Sequence, residues 1–127
     1  MGGVYVKVKL LGSPDRPASP QTIEALVDTG ATLSIFPAPL LRRLGVKASN
    51  HVRTRLTDGR VVRRDVGEVK MKLNGDVVIT RTLFGRPHDA TVIGLVALES
   101  LGLTVDPIRR RLVHTEYLMY SISLEIS

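Results

Sequence analysis

The sequence predicts a mainly β fold with one or two short helices. Three patterns support this prediction: alternating apolar and polar residues near the start, two turn dipeptides typical of hairpins, and two short segments with helical spacing. The chain has 127 residues, which fits one compact domain because domains commonly contain about 100–150 residues. We therefore expect residues 1–127 to form a single domain.

The first third of the chain is predicted to contain strands and one helix. Residues 4–10 alternate apolar and polar side chains, the period of a strand with one buried face. The prolines within residues 12–20 predict a surface loop, after which residues 23–27 resume a strand. Residues 37–44 carry leucines at helical spacing and predict a short helix that ends at Gly45.

Two hairpins are predicted in the middle of the chain. Asp58-Gly59 and Asn74-Gly75 are residue pairs that tolerate the positive φ angles of tight turns. Residues 77–84 leave the second turn as an apolar run rich in β-branched residues, which favours a strand. We therefore expect strands on both sides of both turns.

The last third of the chain contains a short strand and a second helix. Val92-Ile93 predicts the end of a strand closed by Gly94, and residues 95–101 predict a helix that Gly102 ends. Asp106-Pro107 predicts a turn. Further strands are predicted at residues 103–105, 112–113 and 122–126.

One short motif carries possible chemistry. Asp28 ends an apolar strand and is followed by Thr29 and Gly30. The strand would hold the carboxylate rigidly, the threonine hydroxyl could tie down the loop, and glycine lets a substrate approach the backbone closely. An isolated Asp-Thr-Gly triplet also fits an ordinary turn in which the aspartate accepts a backbone hydrogen bond. The triplet alone therefore does not distinguish a catalytic loop from a turn.

The context of the triplet resembles the active-site motif of the retropepsin-like aspartic proteases. Residues 25–32 read ALVDTGAT, as in that family, and Asp58-Gly59 and Val92-Ile93-Gly94 follow in the family's order of a flap hairpin and a second-half loop. The resemblance covers residues 4–113, with residues 114–127 as a C-terminal strand beyond it. It implies a closed, barrel-like retropepsin fold.

The resemblance also implies a homodimer with a shared active site. The chain has one such motif, so each subunit would contribute one Asp28. Two carboxylates a few ångströms apart do not both ionise easily, so the pair would hold one proton and act as an acid and a base in peptide hydrolysis. The implied substrate is a peptide or protein, and the reaction needs no metal or cofactor.

The neighbours of Asp28 take supporting roles by the same resemblance. Thr29 would form hydrogen bonds between subunits, and Gly30 would accept contacts from the substrate backbone. Ala31 stands where two-lobed relatives have Ser or Thr, whose hydroxyl stabilises the ionised aspartate. Its absence predicts an activity optimum at weakly acidic pH.

The predicted flap hairpin, residues 53–66, departs from the family pattern. Retroviral flaps have a glycine-rich tip, whereas this tip reads Thr57-Asp58-Gly59-Arg60. A flap would close over an extended peptide and exclude water. The alternative is an ordinary charged hairpin.

Composition bears on three other functions: nucleic-acid binding, metal binding and a non-catalytic role. The net charge of +6 is compatible with nucleic-acid binding, but the basic residues are dispersed and aromatic residues make up only 4% of the chain, which argues against that function. The chain has no cysteine, and His51, His88 and His114 are too scattered to predict a metal site. The remaining alternative is a non-catalytic module that uses this fold for dimerisation or peptide binding.

No membrane segment is expected from the sequence. No apolar run approaches the ~18 residues of a spanning helix, and the N-terminus lacks the pattern of a secretory signal. The sequence-based expectation is a cytoplasmic protein.

Overall fold

The computed structural model of the chain describes residues 3–116. Nine strands and two short helices lie in this range, in the order β1 Val4–Ser13, β2 Arg16–Val27, β3 Ser34–Pro37, α1 Ala38–Arg43, β4 Asn50–Arg55, β5 Val61–Leu73, β6 Asp76–Gly85, β7 Val92–Ile93, α2 Leu95–Leu101, β8 Leu103–Asp106 and β9 Arg111–His114. The prediction of a mainly β fold with short helices is confirmed. The strand predicted at residues 122–126 lies outside the described residues.

The large sheet closes on itself. Its strand order is β1-β2-β7-β3-β6-β5-β4, and β1 also pairs with β5, so the first six strands of this order form a ring to which β4 is attached. The closing register joins Leu10 to Met71, both fully buried. This topology confirms the barrel-like fold, and β8 and β9 form a separate two-stranded sheet.

The prediction of a loop at residues 12–20 is wrong. Instead β1 and β2 form a continuous hairpin across a turn at Pro14-Asp15. Over this stretch β2 pairs with β1 alone, because β7 contacts only the last two residues of β2. One side of β2 is therefore open, and a strand with an open side accommodates Pro17 and Pro20, which cannot donate ladder hydrogen bonds.

The remaining turn and helix signals are confirmed. Asn74 and Gly75 have φ angles of 54° and 84°, as the second hairpin turn requires. Helix α1 is followed by Gly45 at φ 80°, and α2 ends at Gly102 at φ 64°, so a glycine in the left-handed region ends or follows each helix.

The core lies inside the barrel and beneath the two helices. Burial of one of its large apolar side chains stabilises the fold by ~1.5–3 kcal/mol. The largest fully buried apolar side chains are Phe36, Leu10, Leu41, Met71, Ile93 and Leu98. Between residues 3 and 116, no helix is long and apolar enough to cross a membrane.

Candidate active site

Asp28 lies immediately after β2, where two distant parts of the chain meet. The end of β2 pairs in parallel with β7, which places Val27 beside Ile93. The backbone N–H of Asp28 donates to the Ile93 carbonyl (3.0 Å), and that of Leu26 donates to the Thr91 carbonyl (2.9 Å). The position of Asp28 is therefore fixed by a strand from the second half of the chain.

The loop after β2 is organised around the Asp28 carboxylate. Its Oδ1 accepts a hydrogen bond from the backbone N–H of Gly30 (2.9 Å), and its carbonyl accepts one from the N–H of Ala31 (3.1 Å). Asp28 is half-buried, whereas Thr29 and Gly30 are exposed. A Cβ atom on Gly30 would lie 3.1 Å from Oδ1. Glycine here therefore keeps space open beside the carboxylate.

The second-half loop, Val92-Ile93-Gly94, packs directly against this first loop. The N–H groups that follow it, those of Leu95 and Val96, donate to the carbonyls of Ala31 (2.7 Å) and Thr32 (3.0 Å). The structure thus brings together residues 28–31 and 92–94, the two segments that the family resemblance singled out.

A buried hydrogen-bond network connects the second-half loop to strands β3 and β6. The N–H of Gly94 donates to the hydroxyl of Ser34 (3.0 Å). The hydroxyl of Thr82 on β6 contacts the carbonyl oxygens of Ser34 (3.2 Å) and Leu83 (3.1 Å). Ser34 and Thr82 are both almost fully buried. The buried hydroxyl groups of this network therefore have hydrogen-bond partners elsewhere in the barrel.

Sequence reasoning missed Ser34, Thr82 and the strand β3 that carries Ser34. Residues 34–37 were not predicted as a strand because only four residues separate the loop from α1. One signal was available: in the alternation of a strand, Ser34 lies on the same side as Phe36, and Thr82 lies on the same side as Phe84. A polar side chain at an inward-facing position indicates a buried hydrogen bond.

The predicted flap hairpin exists and projects from the barrel. Strands β4 and β5 pair from Asn50 with Val66 to Arg55 with Val61. Strand β6 joins β5 only from Val66 onward, so residues 61–65 pair with β4 alone. None of residues 50–65 is buried. The hairpin is therefore a two-stranded ribbon with both faces accessible.

The tip of this hairpin is held by its own charged side chains. Asp58 accepts hydrogen bonds from the backbone N–H (2.9 Å) and the Nε (2.7 Å) of Arg60, and these hydrogen bonds lower the pKa of Asp58. Arg55 donates to the carbonyl of Gly59 (3.0 Å), which has φ 89°. Hydrogen bonds of residues 57–60 within the described chain stay inside the hairpin. Among the described residues, no hydrogen bond therefore joins the tip to the Asp28 loop.

A second ion pair fixes the base of the hairpin to the loop before β7. Arg64 binds Asp89 through both terminal nitrogens, with Nη2 3.2 Å from Oδ1. The Asp89 carboxylate also accepts the backbone N–H of Arg86 (2.7 Å). The hydrogen bond from Arg64 holds the pKa of Asp89 below its ordinary value. This link was not predicted, because the two residues lie far apart in the sequence.

The chemistry available at the Asp28 loop is that of one accessible carboxylate. Within residues 3–116, no three His, Cys, Asp or Glu side chains lie close enough to hold a metal ion. A carboxylate in a rigid loop can bind and activate water, but acid and base roles need a second titratable group. The described part of this chain places no second carboxylate in that loop.

Comparison with known families identifies the group to which this arrangement belongs. A family model described as aspartyl protease matches residues 6–85, more than half of the chain. The chain belongs to the aspartyl protease family. The matched residues of this aspartyl protease include Asp28 and the hairpin, and they end before the second-half loop.

A solved structure supports the same fold. The chain is similar to EIAV protease complexed with the inhibitor HBY-793, with a TM-score of 0.56 and 23% sequence identity. The similarity covers 80% of this chain and 89% of the viral protease chain. At this identity the likeness establishes the fold, which is the retropepsin-like one expected from the sequence. Among curated proteins, no sequence matches this aspartyl protease significantly.

Proposed function

We propose that this chain is an aspartic endopeptidase that acts as a homodimer on extended polypeptides, with residues 1–127 forming one domain. The observation that carries the proposal is the Asp28 loop. Its carboxylate is accessible and accepts the Gly30 N–H, the backbone N–H of Asp28 donates to the Ile93 carbonyl, and the glycine leaves room for substrate. Membership of the aspartyl protease family supports it. Asp28 is the catalytic residue in this proposal.

The dimer supplies the second carboxylate that the reaction needs. With Asp28 of each subunit on a two-fold axis, the pair retains one proton, because two adjacent negative charges repel. The ionised carboxylate takes a proton from water as the water oxygen attacks the peptide carbonyl carbon. The protonated carboxyl donates to the carbonyl oxygen, and a proton then passes to the leaving nitrogen as the C–N bond breaks.

Exposed groups beside the Asp28 loop support the dimer. Leu95 and Val96, which follow the second-half loop, are 37% and 36% exposed although they are apolar. The Thr29 hydroxyl forms no hydrogen bond within the described residues and is free to bond across an interface. A second copy would cover the apolar side chains and give Thr29 a partner.

The projecting hairpin supports binding of an extended substrate. A two-stranded ribbon with accessible faces can pair its backbone with a peptide in the manner of an added strand. In this proposal Thr57, Asp58, Gly59 and Arg60 form the tip that closes over the peptide. The family relationship supports an enzyme, whereas the charged tip in place of a glycine-rich one leaves a peptide-binding module as the alternative.

The direct test compares peptide cleavage by the native chain and by Asp28→Asn, with Asp76→Asn as a control on an exposed turn aspartate. We expect cleavage to be abolished by Asp28→Asn alone and inhibited by a pepstatin-like compound. Equal cleavage by native protein and Asp28→Asn would overturn the assignment. Peptide binding without cleavage by the native protein would instead identify the binding module.

Mixing subunits tests whether the site is shared. When native and Asp28→Asn chains are exchanged in equal amounts, about one quarter of the dimers contain two intact aspartates. Activity should fall to that fraction of the value for the same total concentration of native chain. A fall to one half would mean that each copy works alone, which contradicts the shared site.

A further inference from the structure

Four arginines line one groove near the base of the β4–β5 hairpin. Its volume is about 590 Å³, and we call it the arginine groove. The charged residues in its lining are Arg42, Arg63, Arg64, Arg86, Asp65 and Asp89. Asp28 and the second-half loop are not part of this lining, so the groove is separate from the candidate active site.

Three of the four guanidinium groups have no carboxylate partner. The ion pairs of residues 3–116 engage Arg64 with Asp89, but none involves Arg42, Arg63 or Arg86. These three arginines are exposed. Arg86 Nη2 donates to the Arg63 carbonyl (3.4 Å), which is a neutral acceptor, so no ion pair neutralises the three positive charges. Arg64, by contrast, has a side chain that is only 10% exposed and is fixed at the groove.

The basic surface extends beyond the groove. A second depression of about 310 Å³ shares Arg42 and Phe84 with it and adds Arg16 and Lys47. The two depressions are therefore neighbours, with Arg42 and Phe84 lining both. Several basic side chains in two neighbouring depressions suit a chain-like ligand with several negative charges better than a single small anion.

The other lining residues favour a polypeptide over a nucleic acid. Pro37, Pro39 and Pro87 give the arginine groove apolar surface of the kind that contacts aliphatic side chains. The aromatic residue in the lining, Phe84, is buried and lies under Arg42, whose Cζ is 5.8 Å from the ring centroid. It offers no open face on which a base could stack.

We propose that the arginine groove binds an acidic segment of a polypeptide. Carboxylates of that segment pair with Arg42, Arg63 and Arg86, and its aliphatic groups contact the prolines. For the endopeptidase proposed above, the groove would favour substrate proteins with an acidic stretch outside the segment held at Asp28. That consequence rests on the proposed function, whereas binding itself does not require cleavage.

The test measures binding in the Asp28→Asn background, so that its result is independent of catalysis. The probes are a fluorescent peptide of alternating Glu and Val, the same peptide with Gln for Glu, and a single-stranded oligothymidylate, each followed by anisotropy. The groove variant combines Arg42→Gln, Arg63→Gln and Arg86→Gln. The charge-matched control combines Lys9→Gln, Lys72→Gln and Arg81→Gln, which are exposed and lie outside both depressions.

We expect the Glu peptide to bind more tightly than the Gln peptide and to lose about tenfold in affinity in the groove variant, because three exposed ion pairs contribute about 0.5 kcal/mol each. The control variant should stay within about twofold of the parent. Equal losses in both variants, or equal binding of both peptides, would overturn the proposal. Tighter binding of oligothymidylate with the same dependence on the groove would assign the groove to nucleic acid instead. If the groove variant does not fold, Arg63→Gln against Lys72→Gln gives the same comparison.

Discussion

Gly94 and Leu33 approach so closely that no side chain fits between them. A Cβ atom on Gly94 would lie 2.5 Å from the carbonyl carbon of Leu33 and 2.6 Å from its oxygen. Both contacts are to backbone atoms, which cannot move aside as a flexible side chain can. The absence of a side chain at position 94 is therefore what allows the two loops of the candidate active site to pack together.

Gly94→Ala should destabilise the fold and impair the site together. Overpacking of a tight position costs about 1–3 kcal/mol, and relief of the clash must displace the Asp28 loop. Urea unfolding and peptide cleavage per folded protein provide the two measurements. Gly75→Ala, at φ 84° with open space around it, should cost stability without loss of cleavage. Full cleavage by folded Gly94→Ala would contradict this prediction.

Ser34→Ala should destabilise the protein by about 1–3 kcal/mol, because it leaves the buried N–H of Gly94 without an acceptor. The matched control is Ser49→Ala, whose hydroxyl is exposed and contacts the Val66 carbonyl at 3.4 Å. That change should stay within about 0.5 kcal/mol of the native value. Chemical denaturation compares the two, and equal stabilities would remove Ser34 from its supporting role.

Asp89→Asn should change how stability depends on pH. Arg64 depresses the pKa of Asp89 in the folded protein, so the ionised carboxylate contributes stability above the unfolded pKa of about 3.9. That contribution is lost as pH falls below this value. Asp89→Asn should therefore be less stable at neutral pH, by about 1–3 kcal/mol, and lose less stability on acidification.

Urea unfolding at a series of pH values between neutrality and strong acid measures this effect. Asp58→Asn provides the comparison, since its arginine partner lies on a fully exposed hairpin tip. Its stability should change less at every pH. Parallel stability curves for native protein and Asp89→Asn would show that the Arg64 link does not contribute.

Ala31→Ser should extend activity to lower pH. A hydroxyl at this position can donate to the ionised Asp28 carboxylate, which favours the form that activates water. A hydrogen bond of about 1.5 kcal/mol moves the acidic limb of the rate profile down by about one pH unit. Thr32→Ser, at the exposed neighbouring position, should leave the profile unchanged. A native optimum near pH 2–3 would contradict the weakly acidic optimum expected from Ala31.

Local signals predicted the elements whose structure depends on neighbours in the sequence. Helix α2 begins and ends where the pattern before Gly102 placed it, and Asn74-Gly75 forms the expected turn. The prediction of a loop at residues 12–20 was wrong because β2 has an open side, where prolines are tolerated within a strand. Strand pairing, which decides whether a proline is tolerated, is not a local property.

The candidate site was predicted only in part, because some of its contacts join residues that are distant in the sequence. The order of the Asp28 triplet and Val92-Ile93-Gly94 was visible in the sequence, and the structure places them side by side. The hydrogen bond between Ser34 and Gly94 and the ion pair between Arg64 and Asp89 join residues with no sequence relationship. Such partners become identifiable only when the barrel topology is known.

The parallel pairing of β2 with β7 also determines when the Asp28 loop can form during synthesis. Strand β2 is made early, but the Ile93 carbonyl that fixes Asp28 belongs to a strand made much later. A ribosome-bound chain that ends before Ile93 therefore has the aspartate but not its support. We expect nascent chains to have no organised Asp28 loop until β7 has emerged and paired with β2, which delays the proposed peptidase activity until that point.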